Sequence, residues 1–248
     1  MYGRKSKHNR KIYTAREIMK KILKSALIDT LPVMSGYLVL GFGFGILLKS
    51  NGYSLWLVLA MSVCIYAGSM QYVAVGLFTG GASVITALIT TAMVNARHLF
   101  YGISMLSKYA GTGKRKPYLM FSLTDETYSL LCEDNKPFTE TKDIHNYYLF
   151  VSLFDHCYWI IGSLLGAVVG ALVPLNTEGF DFALTALFIT IFTEQWLSHK
   201  DHFPAMTGML ASVLCLLVFK ADNFLIPSML VIAVVLCFCK REVTHERK

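Results

Sequence analysis

The chain has 248 residues, of which 54% are hydrophobic and only 16% charged, with a mean hydropathy of +0.50. That composition excludes a water-soluble fold, which would lack polar surface to cover itself, and makes a bilayer the natural solvent. The net charge of +7 does not point to nucleic acid, because nine of the 23 basic residues precede Ser25 and the others gather in loops and the tail, where they orient a chain in a membrane and favour anionic lipid.

Residues 1–25 are basic and polar, with no apolar stretch and no small-residue cleavage site, so this arm is expected to stay uncleaved and cytoplasmic. Apolar runs follow at Ala26 to Leu48, Tyr53 to Phe78, Ala82 to Leu106, Tyr118 to Leu131, Tyr147 to Val173, Phe182 to Leu197, Phe203 to Phe219 and Phe224 to Cys239. A spanning helix needs roughly 20 apolar residues. The runs therefore predict an all-α polytopic membrane protein with about six to eight apolar segments: a basic arm at 1–25, one transmembrane domain at 26–239 and a basic cytoplasmic tail at 240–248. The six cysteines form no C-x-x-C pair and lie mostly inside apolar runs, where a thiol behaves as a small hydrophobe.

Lysine and arginine in short loops mark the cytoplasmic side. The arm, the cluster Lys108, Lys114, Arg115 and Lys116, and the tail with Lys240, Arg241, Arg247 and Lys248 should all lie inside. Three runs separate the first two clusters, yet an even number of crossings must do so. Tyr53 to Phe78 is long and interrupted by Ala67-Gly68-Ser69-Met70-Gln71, which predicts a broken or re-entrant helix pair at 53–78 with its break at Gly68. The short run with Asp125 and Glu126 predicts a second broken or non-spanning element at 118–131.

Asp29-Thr30-Leu31-Pro32-Val33-Met34-Ser35-Gly36 reads much like Asp201-His202-Phe203-Pro204-Ala205-Met206-Thr207-Gly208. The likeness is either an internal repeat of the kind transporters carry or a shared way of starting a helix with proline in its first turn. Gly41, Gly43 and Gly45, and Gly162, Gly166 and Gly170, make smooth helical faces that another helix can approach closely.

An ionisable residue at mid-membrane costs roughly 2.5 to 3.5 kcal/mol, against a return of about 0.3 to 0.6 kcal/mol from a leucine there. Each such residue needs a reason. In Asn95-Ala96-Arg97-His98, Arg97 either snorkels to the inner interface or holds a carboxylate with its fork, whether a solute's own or that of Asp125 or Glu126. Thr124-Asp125-Glu126-Thr127 is either a capped helix start or a carboxylate relay for protons. Ser69 and Gln71 offer a hydroxyl and an amide at the break near Gly68, where a half-helix amino terminus can hold a carboxylate, or else Gly68 and Ser69 simply let helices pack. Glu194 lies near the end of its run beside Trp196, and Asp155-His156 is either a further relay or a structural pair. His199 and His202 have a spacing that suits a metal, but no third ligand stands near them in the sequence, so no metal or cofactor is expected.

Pro32 with Gly41-Phe42-Gly43-Phe44-Gly45, Ala67-Gly68-Ser69-Met70-Gln71, Asn95-Ala96-Arg97-His98 and Thr124-Asp125-Glu126, in this order, resemble the AzlC family, the large subunit of bacterial branched-chain amino acid exporters. The resemblance is sharp from Ala26 to Leu131 and continues more loosely through Tyr158-Trp159 to Gly170. It implies a multi-pass plasma-membrane transporter that exports branched-chain or similar apolar amino acids, draws on the proton gradient and works with a small AzlD-type membrane partner. On that reading Ser69, Gln71, Asn95, Arg97 and His98 bind substrate, while Asp125, Glu126 and Glu194 are candidates for proton coupling. Two other classes are an intramembrane hydrolase using Ser69 with His98 or His156, and a scaffold with no path of its own, which would have little use for intramembrane polar groups.

Overall fold

The computed structural model describes residues 15–132, 138, 140–173 and 202–224, with scattered positions between 186 and 238. Among the described residues the regular structure is helical throughout, with no strand. The chain divides into two units, Met1–Phe180 and Asp181–Lys248.

The first unit opens with α1 (Ala15–Asp29). Ile18, Ile22 and Ala26 recur every fourth residue and so form one stripe, of which Ile22 and Ala26 are fully buried against Met105, Tyr109, Tyr147 and Val151. Lys20, Lys21 and Lys24 stay exposed. The later part of the basic arm is therefore a docked amphipathic helix, pinned at its end where the Tyr147 hydroxyl donates to Asp29 Oδ2 at 2.6 Å. The charges that made this stretch read as a polar arm occupy only the side away from the stripe.

Then come α2 (Leu31–Ser50), with Pro32 in its first turn, and, far along the chain, α9 (Thr141–Leu172). These two helices make the most extensive packing in the unit, and the glycine rows explain how. A Cβ on Gly162 would meet the Leu38 carbonyl oxygen at 2.8 Å and that of Tyr37 at 2.9 Å, and one on Gly41 would meet the Trp159 carbonyl oxygen at 2.9 Å. Gly45 stands against Ser163, Gly166 against Phe42 and Gly170 against Ile46, so glycine from each helix opens room for main chain of the other.

Between them lie shorter helices: α3 (Leu55–Cys64), α4 (Gly68–Thr79), α5 (Val84–Val94), α6 (Ala96–Met105), α7 (Lys116–Phe121) and α8 (Asp125–Cys132). The run at 53–78 is thus broken at residues 65–67, and the run at 118–131 at residues 122–124. The run at 82–106, read from sequence as one segment, is also divided, with Asn95 between helices of 11 and 10 residues. Among the described residues two helices, α2 and α9, are long and apolar enough to cross a bilayer, while much of the apolar runs at 182–197 and 224–239 lies outside the described residues. Hydropathy measures an apolar stretch and is blind to a joint inside it.

The apolar faces point outward. Val84 is 86% exposed, Trp56 77% and Leu172 76%, and α5 buries none of its residues. Water would penalise such a surface, whereas lipid accommodates it. Of the described cysteines, Cys64 and Cys157 share this outward exposure and Cys215 is buried.

In the second unit α10 (Phe203–Asn223) also carries its proline, Pro204, in the first turn. Asp201, the other half of the repeat signature, lies outside the described residues, as do Glu194 and His199. The His202 ring stacks on Trp196 with centroids 4.2 Å apart and planes 11° apart, beside an apolar hollow lined by Phe192, Pro204, Met209 and Val213.

Candidate functional site

The three interruptions meet. Ser69 lies in the first turn of α4, Arg97 in the first turn of α6 and Asp125 at the start of α8. Arg97 joins all three: its Nη2 donates to Ser69 Oγ at 2.7 Å and its Nη1 pairs with Asp125 Oδ2 at 3.0 Å. The two side chains of the ion pair are only 29% and 17% exposed, so it is shielded well beyond the usual surface salt bridge. A guanidinium at a helix amino terminus faces the positive end of the helix dipole, which is unfavourable unless an anion stands against it. Asp125 supplies that anion. Three helix amino termini converging on one ion pair also make the surroundings favourable to a further negative group.

Each joint has its own local cause. At residues 65–67 the chain passes through Tyr66 at a φ of +45°, a conformation costly for a bulky side chain. The Tyr66 ring is held there by His156 at 4.2 Å between centroids and by Tyr37 edge-on at 6.4 Å. Gly68 is required by a neighbour, since a Cβ would come within 2.8 Å of Trp159 Cη2. At the third joint Thr124 caps α8, its Oγ1 accepting from the Thr127 backbone N–H at 3.2 Å. The capping reading of Thr124 and the ion-pair reading of Asp125 are therefore both realised.

Glu126 turns away from Arg97 and accepts from the Tyr37 hydroxyl at 2.7 Å. Tyr37 also lies 2.6 Å from Thr124 Oγ1, Thr124 Oγ1 lies 3.0 Å from Thr127 Oγ1, and the Thr127 hydroxyl donates to Asp155 Oδ2 at 2.8 Å. Asp155 is wholly buried, and neither Tyr37 nor Thr127 stood out in the sequence. The available signal was Asp155 itself, an acid inside a long apolar run, together with Thr124 and Thr127 at a spacing that puts both on one helix face. His156 is tied elsewhere, with Nδ1 3.1 Å from the Tyr118 hydroxyl and Nε2 3.2 Å from the Ser62 carbonyl oxygen.

The remaining sequence-derived residues divide. Asn95 is the joint before α6, and its Oδ1 is buried without a hydrogen-bond partner, as is Arg97 Nε. His98 is half-buried beside Tyr101, whose ring stacks on Tyr128 of α8 at 4.5 Å. Gln71 is fully buried with both amide atoms unpartnered, but two positions along a helix is a rotation of about 200°, so it does not share the face of Ser69. A cluster of Arg, Asp and Ser with buried polar atoms in reserve can exchange its internal ion pair for the two ends of a zwitterion.

A family model described as AzlC protein matches residues 32–173, the stretch that holds all three joints and the paired helices α2 and α9. The branched-chain amino acid transport protein AzlC of Bacillus subtilis is 45% identical over 218 residues, covering 88% of this chain and 85% of that protein. An uncharacterized membrane protein of Haemophilus influenzae is 38% identical over 214 residues, covering 86% and 87%. The inner membrane protein YgaZ of Escherichia coli is 26% identical over 197 residues, covering 75% and 78%. No solved structure matches.

Proposed function

The chain belongs to the AzlC family, and from that premise we propose that it exports branched-chain or similar apolar amino acids across the bacterial plasma membrane. The proton gradient drives the movement, a small AzlD-type subunit accompanies the chain, and both termini face the cytoplasm. The single observation behind this reading is the Arg97 bridge from Ser69 to Asp125, an ion pair set where three helices are interrupted. The substrate's carboxylate takes Arg97 and Ser69, its ammonium takes Asp125, and Asn95 lends the buried oxygen that has no partner within the chain. Glu126, on the tyrosine side of the same helix start, carries the proton.

Two observations weigh against hydrolysis. Ser69 pairs with a guanidinium rather than an imidazole, and both nitrogens of His156 are engaged by Tyr118 and the Ser62 carbonyl. A nucleophilic serine needs a base within hydrogen-bond reach.

The test is efflux from cells preloaded with labelled leucine, isoleucine, valine and methionine, with and without the small subunit. Arg97→Ala and Glu126→Gln should each abolish efflux while leaving the amount of protein in the membrane unchanged. Full efflux by both variants ends the assignment.

A further inference from the structure

Four contacts run without a gap from one carboxylate to another: Glu126 Oε2 to the Tyr37 hydroxyl at 2.7 Å, Tyr37 to Thr124 at 2.6 Å, Thr124 to Thr127 at 3.0 Å, and Thr127 to Asp155 Oδ2 at 2.8 Å. All four lie within the range of real O–H···O hydrogen bonds. Each hydroxyl carries one hydrogen and can rotate, so the three together supply three protons for four contacts. The fourth must come from a carboxyl group. With one proton shared between Glu126 and Asp155, every contact is filled, and it can be filled in either of two directions.

We propose that Tyr37, Thr124 and Thr127 form a proton wire and that Asp155 is the inner store of the coupling proton, a role that rests on the transport reading above. In the transfer, the Glu126 carboxyl gives its proton to the Tyr37 oxygen, the Tyr37 proton passes to Thr124, that of Thr124 to Thr127, and that of Thr127 to Asp155 Oδ2. Each hydroxyl ends with one hydrogen, Glu126 loses one and Asp155 gains one, so nothing further is consumed. The two ends differ in access. Glu126 is half-buried at the start of α8 next to the ion pair, whereas Asp155 is 0% exposed with Oδ1 unpartnered and no cation beside it among the described residues. An ionised carboxylate without a paired cation is costly to bury. The titratable and charged groups within electrostatic reach of Glu126 are Tyr37, Tyr66, Tyr101, Asp125, Arg97 and Asp155, and those within reach of Asp155 are Tyr37, Tyr66, Tyr118, Tyr147 and Glu126. Moving the proton inward leaves Glu126 charged and free to act at the mouth of the site. Returning it restores the neutral form.

The full-length chain with its small subunit, reconstituted in vesicles, separates two modes: exchange of labelled for unlabelled leucine at equal pH, and net leucine movement driven by a pH difference. Asp155→Asn and Thr127→Val should keep exchange and lose at least about ten-fold of the driven movement, while Thr127→Ser, which retains the hydroxyl, should restore it. Driven movement by Thr127→Val equal to that of the unsubstituted chain overturns the wire. So does loss of both modes in Thr127→Val and Thr127→Ser alike, which is the result of a packing role. Should the unsubstituted chain move no leucine in either mode, the transport reading fails, and the infrared carboxyl band of the chain in detergent still decides the wire. That band is assigned to Asp155 by its loss in Asp155→Asn. Glu126→Gln should shift it and Thr127→Val should abolish the shift, whereas a band indifferent to Glu126→Gln overturns the proposal.

Discussion

Gly162→Ala tests the packing on which the site depends. The added methyl group would stand 2.8 Å from the Leu38 carbonyl oxygen, 2.9 Å from that of Tyr37 and 3.0 Å from the Leu38 Cα. Ordinary contact begins near 3.4 Å, and all three obstacles are main-chain atoms that no rotamer change can remove, so α2 and α9 must separate by about half an ångström. Overpacking of this kind costs about 1 to 3 kcal/mol, and alanine returns up to about 1 kcal/mol of helix propensity. With the full return the expected net loss is about 0 to 2 kcal/mol, read as a fall of up to about 5 °C in the thermal midpoint of the chain in detergent. Gly41→Ala meets the Trp159 carbonyl oxygen at 2.9 Å and should cost a similar amount. The double variant should cost less than the sum, because one separation of the helices relieves both collisions. Gly36→Ala, with nothing within 4 Å, is the matched control and should be neutral or stabilising by up to about 1 kcal/mol. A midpoint for Gly162→Ala equal to that of Gly36→Ala would refute the close approach of α2 and α9.

The ion pair, the strained joint and the docked helix yield three further expectations. Asp125→Asn leaves Arg97 without its counter-ion and should lower stability by about 2 kcal/mol, less than for a fully buried pair because Arg97 is 29% exposed; adding Arg97→Gln should recover part of the loss, as a double-mutant cycle on thermal midpoints will read. At Tyr66 both Ala and Gly lose the ring against His156, but Gly should be the less damaging by about 1 kcal/mol, because only Gly takes a φ of +45° without cost; equal midpoints, or a better Ala, would remove the claim of strain. Ile22→Ala, at a fully buried position, should cost about 2 to 4 kcal/mol and expose α1 to protease cleavage at Lys20, Lys21 and Lys24.

The sequence made the interruption at Gly68 visible because a small polar patch divides an apolar run too long for one crossing. Asn95 gave no such signal: one amide between Val94 and Ala96 leaves hydropathy almost unchanged, and the count of crossings that treated 82–106 as a single segment missed the joint. In residues 15–29 the density of lysine concealed a four-residue apolar period that only the partner surface on α9 gives meaning to. Arg97 was legible as a group needing a carboxylate, and Asp125 was one of the partners its chemistry pointed to. Tyr37 was not legible, because its contact with Glu126 spans 89 residues and is created by the placement of α2 beside α8. Long-range partners of a hydroxyl leave no trace in periodicity.

A continuous helix resists bending because each turn is bonded to the next, whereas a chain divided at Tyr66, Asn95 and Ser122–Thr124 has already surrendered those bonds. The glycine-lined pair α2 and α9 has no such weak points along its contact. Bending in this unit therefore falls where the short helices cross, around the ion pair, while the glycine-lined pair stands as a stiff mast beside it.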